Sequence, residues 1–222
     1  MSDDKGRGQT TKGIWTSQCV RNKILILDCE GTDSKERGDD RHKFENCSSL
    51  FALAMADLLI VNLWTSDIGR WTASNYGVLK TVFEMNLKLF QQECAKKILF
   101  VLRDFNTVVD NKENTQKLIL KDVYKIWEEV KKPEKYKDYE PQKFFEFEFI
   151  TIPHYFYDIN GFNEQVALLR SRFSKDNDRY LFSHSSQEKN VLAQDLNMFC
   201  SKVWSTILND KDLNIVKQYF FA

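Results

Sequence analysis

Apolar and polar residues alternate along this chain in blocks whose length and period keep changing. Ile24-Leu25-Ile26-Leu27 is a short apolar run between polar flanks, which predicts a buried strand with Asp28 at its carboxyl end. Residues 58–64 (Leu-Leu-Ile-Val-Asn-Leu-Trp) form a second such run, and Ile98-Leu99-Phe100-Val101-Leu102 a third, which delivers Arg103-Asp104 at its end. Phe145, Phe147 and Phe149 alternate with Glu146 and Glu148, the period of a strand with one apolar face, and the run continues to Ile152-Pro153. The Phe stripe belongs in a core. Between these runs the period lengthens. Leu79, Phe83, Leu87 and Phe90 recur at spacings of three and four, which predicts an amphipathic helix over 77–92. Residues 114–130 repeat the helical pattern until Lys131-Lys132-Pro133 stops it, and further helices are expected over 44–56, 161–173 and 191–208. The charged stretch 31–43, with Gly31 and Gly38, reads as a mobile loop, and the polar stretch 174–188 as the best candidate linker.

Strand and helix therefore alternate, which predicts an α/β fold with a mostly parallel sheet flanked by helices. In such sheets the ligand sits beyond the carboxyl ends of the strands. Asp28 and Arg103-Asp104 fall at that edge, and His154, directly after Ile152-Pro153, joins them.

Composition narrows the function classes. Apolar residues make up 42% and charged residues 29%, the balance of an ordinary globular chain. Lys plus Arg equals Asp plus Glu at 32 each, so no net field draws nucleic acid or an anionic membrane, and no nucleic-acid partner is expected. Five scattered cysteines without a C-x-x-C pair point to reduced thiols rather than a zinc site or a disulfide framework. The longest apolar stretch, residues 50–64, contains Asp57 and Asn62 and falls short of the ~20 residues that a membrane-spanning helix needs.

The chemistry-bearing residues lie in loops at strand ends. A carboxylate such as Asp28, held at the end of a strand, is well placed to bind a Mg²⁺-bound water. Gly31 lacks a Cβ, so its N–H can approach a phosphate oxygen closely. The same Asp28-Cys29-Glu30-Gly31 string also reads as a plain turn after a strand. Thr11 offers a hard neutral oxygen suited to Mg²⁺, although a Thr-Thr pair in a loop is more often structural. The Asp104 carboxylate can accept from the N1–H and N2–H₂ edge of guanine, a donor pair that adenine lacks. On spacing alone, an Arg103-Asp104 surface ion pair is equally open.

Together the strings Thr10-Thr11-Lys12-Gly13-Ile14-Trp15 and Asp28-Cys29-Glu30-Gly31-Thr32-Asp33-Ser34-Lys35-Glu36-Arg37-Gly38 resemble the dynamin-superfamily GTPases of the guanylate-binding-protein and atlastin type. They are most similar to the root-hair-defective branch, as are Ser49 to Ala54, Asn62-Leu63-Trp64, Leu102-Arg103-Asp104 and Ile152-Pro153-His154. The resemblance implies a P-loop GTPase-like G domain that takes GTP and Mg²⁺. Thr11 would be the switch I metal ligand and Asp28 the switch II carboxylate. Gly31 would contact the γ-phosphate, Glu30 would help order water, and Arg103-Asp104 would read guanine with His154 nearby. The resemblance also implies an endoplasmic-reticulum protein, facing the cytoplasm, that pairs through its G domains and fuses tubules.

One departure qualifies these expectations. The G-x-x-x-x-G-K-[ST] loop, whose amides and Lys cradle phosphates, occurs nowhere in the 222 residues. The chain is therefore expected to be a fragment or mis-started gene model, incomplete at the N-terminus, with a lineage-specific remnant as the alternative. Residues 1–185 would be a partial G domain and 186–222 a helix leading toward a helical bundle. As given, the chain is expected to bind GTP poorly. Two other functions stay open: a non-catalytic interaction module derived from a G domain, and a haloacid-dehalogenase-like phosphatase with Asp28 as nucleophile. In the latter family's Asp-x-Asp-Gly-Thr, Glu30 stands in place of the second Asp.

Overall fold

The computed structural model describes residues 14–29, 47, 48, 50–52, 55–69, 79, 80, 82–84, 86, 87, 96–182 and 194–209. Its centre is a three-stranded parallel sheet in the order β3(Leu58–Trp64), β4(Lys96–Arg103) and β5(Phe145–Ile152). Alternation of side chains along β4 sorts one apolar run into two cores. Ile98, Phe100 and Leu102 join one buried cluster, while Leu99 and Val101 join another. A strand buried on both faces needs an unbroken apolar sequence, and this run supplies it.

The first face is the thicker one. Against Ile98, Phe100 and Leu102 lie Leu79, Val82, Phe83 and Leu87, whose three- and four-residue spacing makes one helical stripe. Beside them lie Ile119, Val123, Ile126 and Trp127 of helix α1(Lys112–Glu129). Asn111 caps α1 by accepting a hydrogen bond from the Asn114 N–H at 2.9 Å. The Phe stripe lands here as the pattern predicts: Phe147 and Phe149 stack on Phe100, and Phe145 meets Phe83 at a tilt. Helix α3(Leu196–Asn209) adds Ile207 to the same cluster, and its Trp204 meets Phe51 edge-on.

The second face is thinner. Helix α2(Ile159–Ser171) has no fully buried residue and covers the sheet through Phe162 and Leu169. The polar alternates of β5 belong to this face, and a basic pair neutralises them. Lys97 Nζ lies 2.7 Å from Glu148 and 3.3 Å from Glu146, and Arg172 also grips Glu148. Burial acts to raise the Glu148 carboxyl, but hydrogen bonds from Lys97 and Arg172 outweigh it and hold it below the ordinary range.

Two expectations change. The run predicted as a buried strand of the parallel sheet, Ile24 to Leu27, lies in β2(Ile24–Cys29), the antiparallel partner of β1(Ile14–Cys19). This hairpin is a separate two-stranded sheet among the described residues. Leu27 and Ile14 still pack against the first core, but Leu25 and Ile26 face outward, Ile26 being 50% exposed. The physical reason is that an apolar run specifies burial only where something covers both faces. The candidate linker also differs over 174–182. Those residues make turns pinned by Leu181 N–H to Arg172 O (2.9 Å) and by the Arg172 guanidinium to Arg179 O (2.9 Å), and Leu181 is buried in the second core. The loop expected over 31–43 lies outside the described residues.

Candidate guanine-nucleotide site

The three parallel strands end level, since Trp64 registers with Arg103 and Arg103 with Ile152. The residues that follow form one rim. At its centre Asp104 adopts φ +57, a left-handed conformation that costs a side-chain-bearing residue about 1–2 kcal/mol. It turns the chain sharply as it leaves β4. On either side of it the backbone is anchored: Thr65 Oγ1 donates to Arg103 O at 2.7 Å, and the Phe105 N–H donates to Ile152 O at 3.1 Å.

Beyond Asp104 the loop is closed by its own hydrogen bonds. Asn106 N–H donates to Asp110 Oδ2 at 2.8 Å, and Asn106 Oδ1 accepts from the Val108 N–H at 3.0 Å. That closure leaves Val108 and Val109 pointing into solvent. Beyond β5 the turn is equally constrained. His154 O accepts from the Tyr157 and Asp158 N–H groups, and Asp158 caps α2 by accepting from the Gly161 N–H at 2.9 Å. A Cβ added at Gly161 would meet the capping carboxylate, so a larger residue there would displace the cap. Phe156 and Tyr157, 83% and 88% exposed, are solvent-facing apolar side chains of this rim, as are Val108 and Val109.

The structure brings two of the predicted site residues, Asp104 and His154, together across the β4–β5 ends. His154 Nε2 lies 3.8 Å from Asp104 Oδ2, and Arg103 immediately precedes Asp104. The Arg103-Asp104 ion pair left open by the sequence does not form. The Arg103 guanidinium instead lies over the Trp64 indole, 4.1 Å from its centroid, so the arginine is held by a cation–π contact across the β3–β4 pair. Asp28 sits on the hairpin opposite Trp15 in the β1–β2 register, and the adjacent Cys29 thiol is pushed up by burial and then by the Asp28 charge. Thr11, Glu30 and Gly31 lie outside the described residues. Among the described residues no group of three or more His, Cys, Asp or Glu side chains could hold a metal ion by itself. A Mg²⁺ bound by one or two protein oxygens together with phosphates and water needs no such group.

Trp64 and Thr65 were not singled out by spacing, although both support the Arg103–Asp104 corner. The available signal was an aromatic at the end of the strand neighbouring one that ends in Arg.

A carboxylate at the end of a parallel strand is able to accept hydrogen bonds from donors beyond the rim. A family model described as Root hair defective 3 GTP-binding protein (RHD3) GTPase domain matches residues 1–216. The chain belongs to this family. It is 40% identical to the Protein SEY1 homolog of Dictyostelium discoideum over 98% of its own length and 25% of the relative's. It is 42% identical to Protein SEY1 homolog 1 of Trichomonas vaginalis over 98% of its length and 27% of that relative's. With Protein SEY1 of Mycosarcoma maydis the identity is 38%, over 98% and 26%. The chain thus spans about a quarter of the length of the curated relatives it matches. Membership makes this a GTPase-domain sequence with an α/β fold, and the parallel sheet flanked by helices agrees with it. Among the described residues no helix is long and apolar enough to cross a membrane.

Proposed function

We propose that this RHD3-family domain selects guanine through Asp104 and, with Mg²⁺ held by Asp28 and Thr11, serves GTP hydrolysis in a protein that fuses and shapes endoplasmic-reticulum tubules from their cytoplasmic face. The observation that carries the guanine assignment is the placement of Asp104. Its carboxylate stands at the end of a doubly buried strand, turned by a left-handed φ, with its side chain 36% exposed. Both N1–H and N2–H₂ of guanine can donate to one carboxylate, and adenine presents no such pair. In this reading Gly31 meets the γ-phosphate and Glu30 orders the attacking water, roles suited to an amide with no Cβ in its way and to a carboxylate.

On this reading residues 1–185 belong to the G domain, and the segment from 186 onward, which includes α3, leads on from it. The exposed Val108, Val109, Phe156 and Tyr157 suit a G-domain homodimer, since apolar groups concentrated at one rim gain by being covered. The 222 residues contain no G-x-x-x-x-G-K-[ST] cradle, so by themselves they are expected to bind GTP poorly and not to turn it over. Micromolar GTP affinity in calorimetry would overturn that last point.

The test of the base assignment is exchange of the carboxylate. Asp104→Asn keeps an acceptor for N1–H but presents an amide N–H₂ to the guanine amino group, whereas xanthine offers a carbonyl there. GTP binding is expected to fall about 10- to 100-fold relative to the unsubstituted chain while xanthosine triphosphate gains. Equal binding of GTP and ATP by the unsubstituted chain, or no change in D104N, would sink the assignment.

A further inference from the structure

We propose that His154 is a positioning residue that sets the direction of the Asp104 carboxylate, acting through Asp104 rather than on the base. This rests on the guanine-reading assignment of Asp104. The imidazole is fixed from behind. Its Nδ1 accepts the Phe156 N–H at 3.1 Å, so that nitrogen carries no proton and the neutral ring bears its hydrogen on Nε2. Nε2 is the atom that faces Asp104 Oδ2 at 3.8 Å. At that distance the contact is electrostatic rather than a hydrogen bond, and it sets the protonated nitrogen near a carboxylate oxygen, an attractive pairing.

The ring has little freedom to leave. Tyr157 stacks on it with centroids 4.4 Å apart and planes 33° from parallel, and Phe156 lies 5.9 Å away. The turn that carries it is tied into the start of α2 by His154 O accepting from Tyr157 and Asp158 and by the Asp158 cap. A chain of short-range constraints therefore runs from the helix cap through the turn and the imidazole to the carboxylate. An Asp side chain that is 36% exposed would otherwise sample several rotamers. With Oδ2 biased toward His154, the plane of the carboxylate is presented beyond the rim in one orientation. One orientation matters for guanine, because the N1–H and N2–H₂ donors, both carried on atoms bonded to C2, are satisfied together only by a carboxylate held in their plane.

Inosine monophosphate separates positioning from mere binding, since its base keeps N1–H but lacks the 2-amino group. NMR titrations of the full chain with GMP and IMP are expected to show GMP preferred by roughly tenfold. In His154→Phe, which keeps an aromatic ring against Tyr157, the ratio should fall toward one while IMP binding stays within about twofold. His154→Gln, whose amide N–H₂ reaches as far as Nε2, should restore most of the ratio. Long-range ¹H–¹⁵N correlation of the imidazole should show the Nε2–H tautomer. A GMP-to-IMP ratio unchanged in H154F, or an Nδ1–H tautomer, would overturn the positioning role alone. An Nε2–H tautomer without any preference for GMP over adenosine monophosphate would instead overturn the Asp104 assignment, and this proposal with it.

Discussion

Strands β2 and β4 look alike in sequence and lead opposite lives in the fold. Each is a short apolar run with an Asp at or just past its end, Ile24 to Asp28 in one and Ile98 to Asp104 in the other. β4 is covered on both faces, and every residue from Lys97 to Leu102 is buried. β2 pairs with one neighbour, β1, and leaves Leu25 and Ile26 turned to solvent. The difference teaches that an apolar run sets the capacity for burial, whereas the number of covering layers sets the burial itself. It also separates the two carboxylates physically: Asp104 departs from a rigid doubly packed strand, and Asp28 from an edge hairpin.

Core truncation is the most direct way to break this comparison. Phe100 is fully buried and stacks on Phe149 at 5.2 Å, so Phe100→Ala should destabilise by about 3–5 kcal/mol. Ile26→Ala on β2 should cost about 1 kcal/mol or less, because half of that residue is already in water. Urea unfolding of the two variants gives both numbers. Equal costs would mean that the outer face of the hairpin is covered after all, and the contrast would collapse.

A smaller effect sharpens what holds the thin second face. Lys97→Ala leaves Glu146 and Glu148 without their lysine and should cost about 3 kcal/mol near neutral pH. The folded Glu148 carboxyl lies below its ordinary value, so its contribution is present above the ordinary carboxylate range and is lost as pH falls through the depressed folded value. The Lys97→Ala penalty should therefore shrink below about pH 4. A penalty independent of pH would show that Lys97 acts there through packing rather than charge.

The smallest effect concerns the loop that carries Asp104 away from β4. Asn111→Ala removes the α1 cap and should cost about 1 kcal/mol in a thermal melt. A loss several times larger would mean that the cap also supports the rim, and would join the loop energetically to β4.

Much of the scaffold was legible before any coordinates. The run over 58–64 became β3 without a shift at either end, and the Phe145/Phe147/Phe149 stripe found the core, because alternation and run length are local properties of a strand. Strand β1 was not legible. Ile14 to Cys19 carries Thr16, Ser17 and Gln18 in its middle, and only pairing with β2 makes that stretch a strand. Of the candidate site, Arg103 and Asp104 were legible as residues at a strand end. The cation–π contact that takes Arg103 onto Trp64 was not, because it joins side chains from two strands.

The amino-acid order by itself determined which stretches could become strands and helices and which acidic and basic groups would stand at their ends, since period and capping act over a few neighbouring residues. The tertiary structure alone decided that Asp104 turns left-handed beside His154 and that β2 joins a hairpin rather than the parallel sheet. Those outcomes depend on contacts between segments far apart in the chain, and no local pattern encodes which segments will meet.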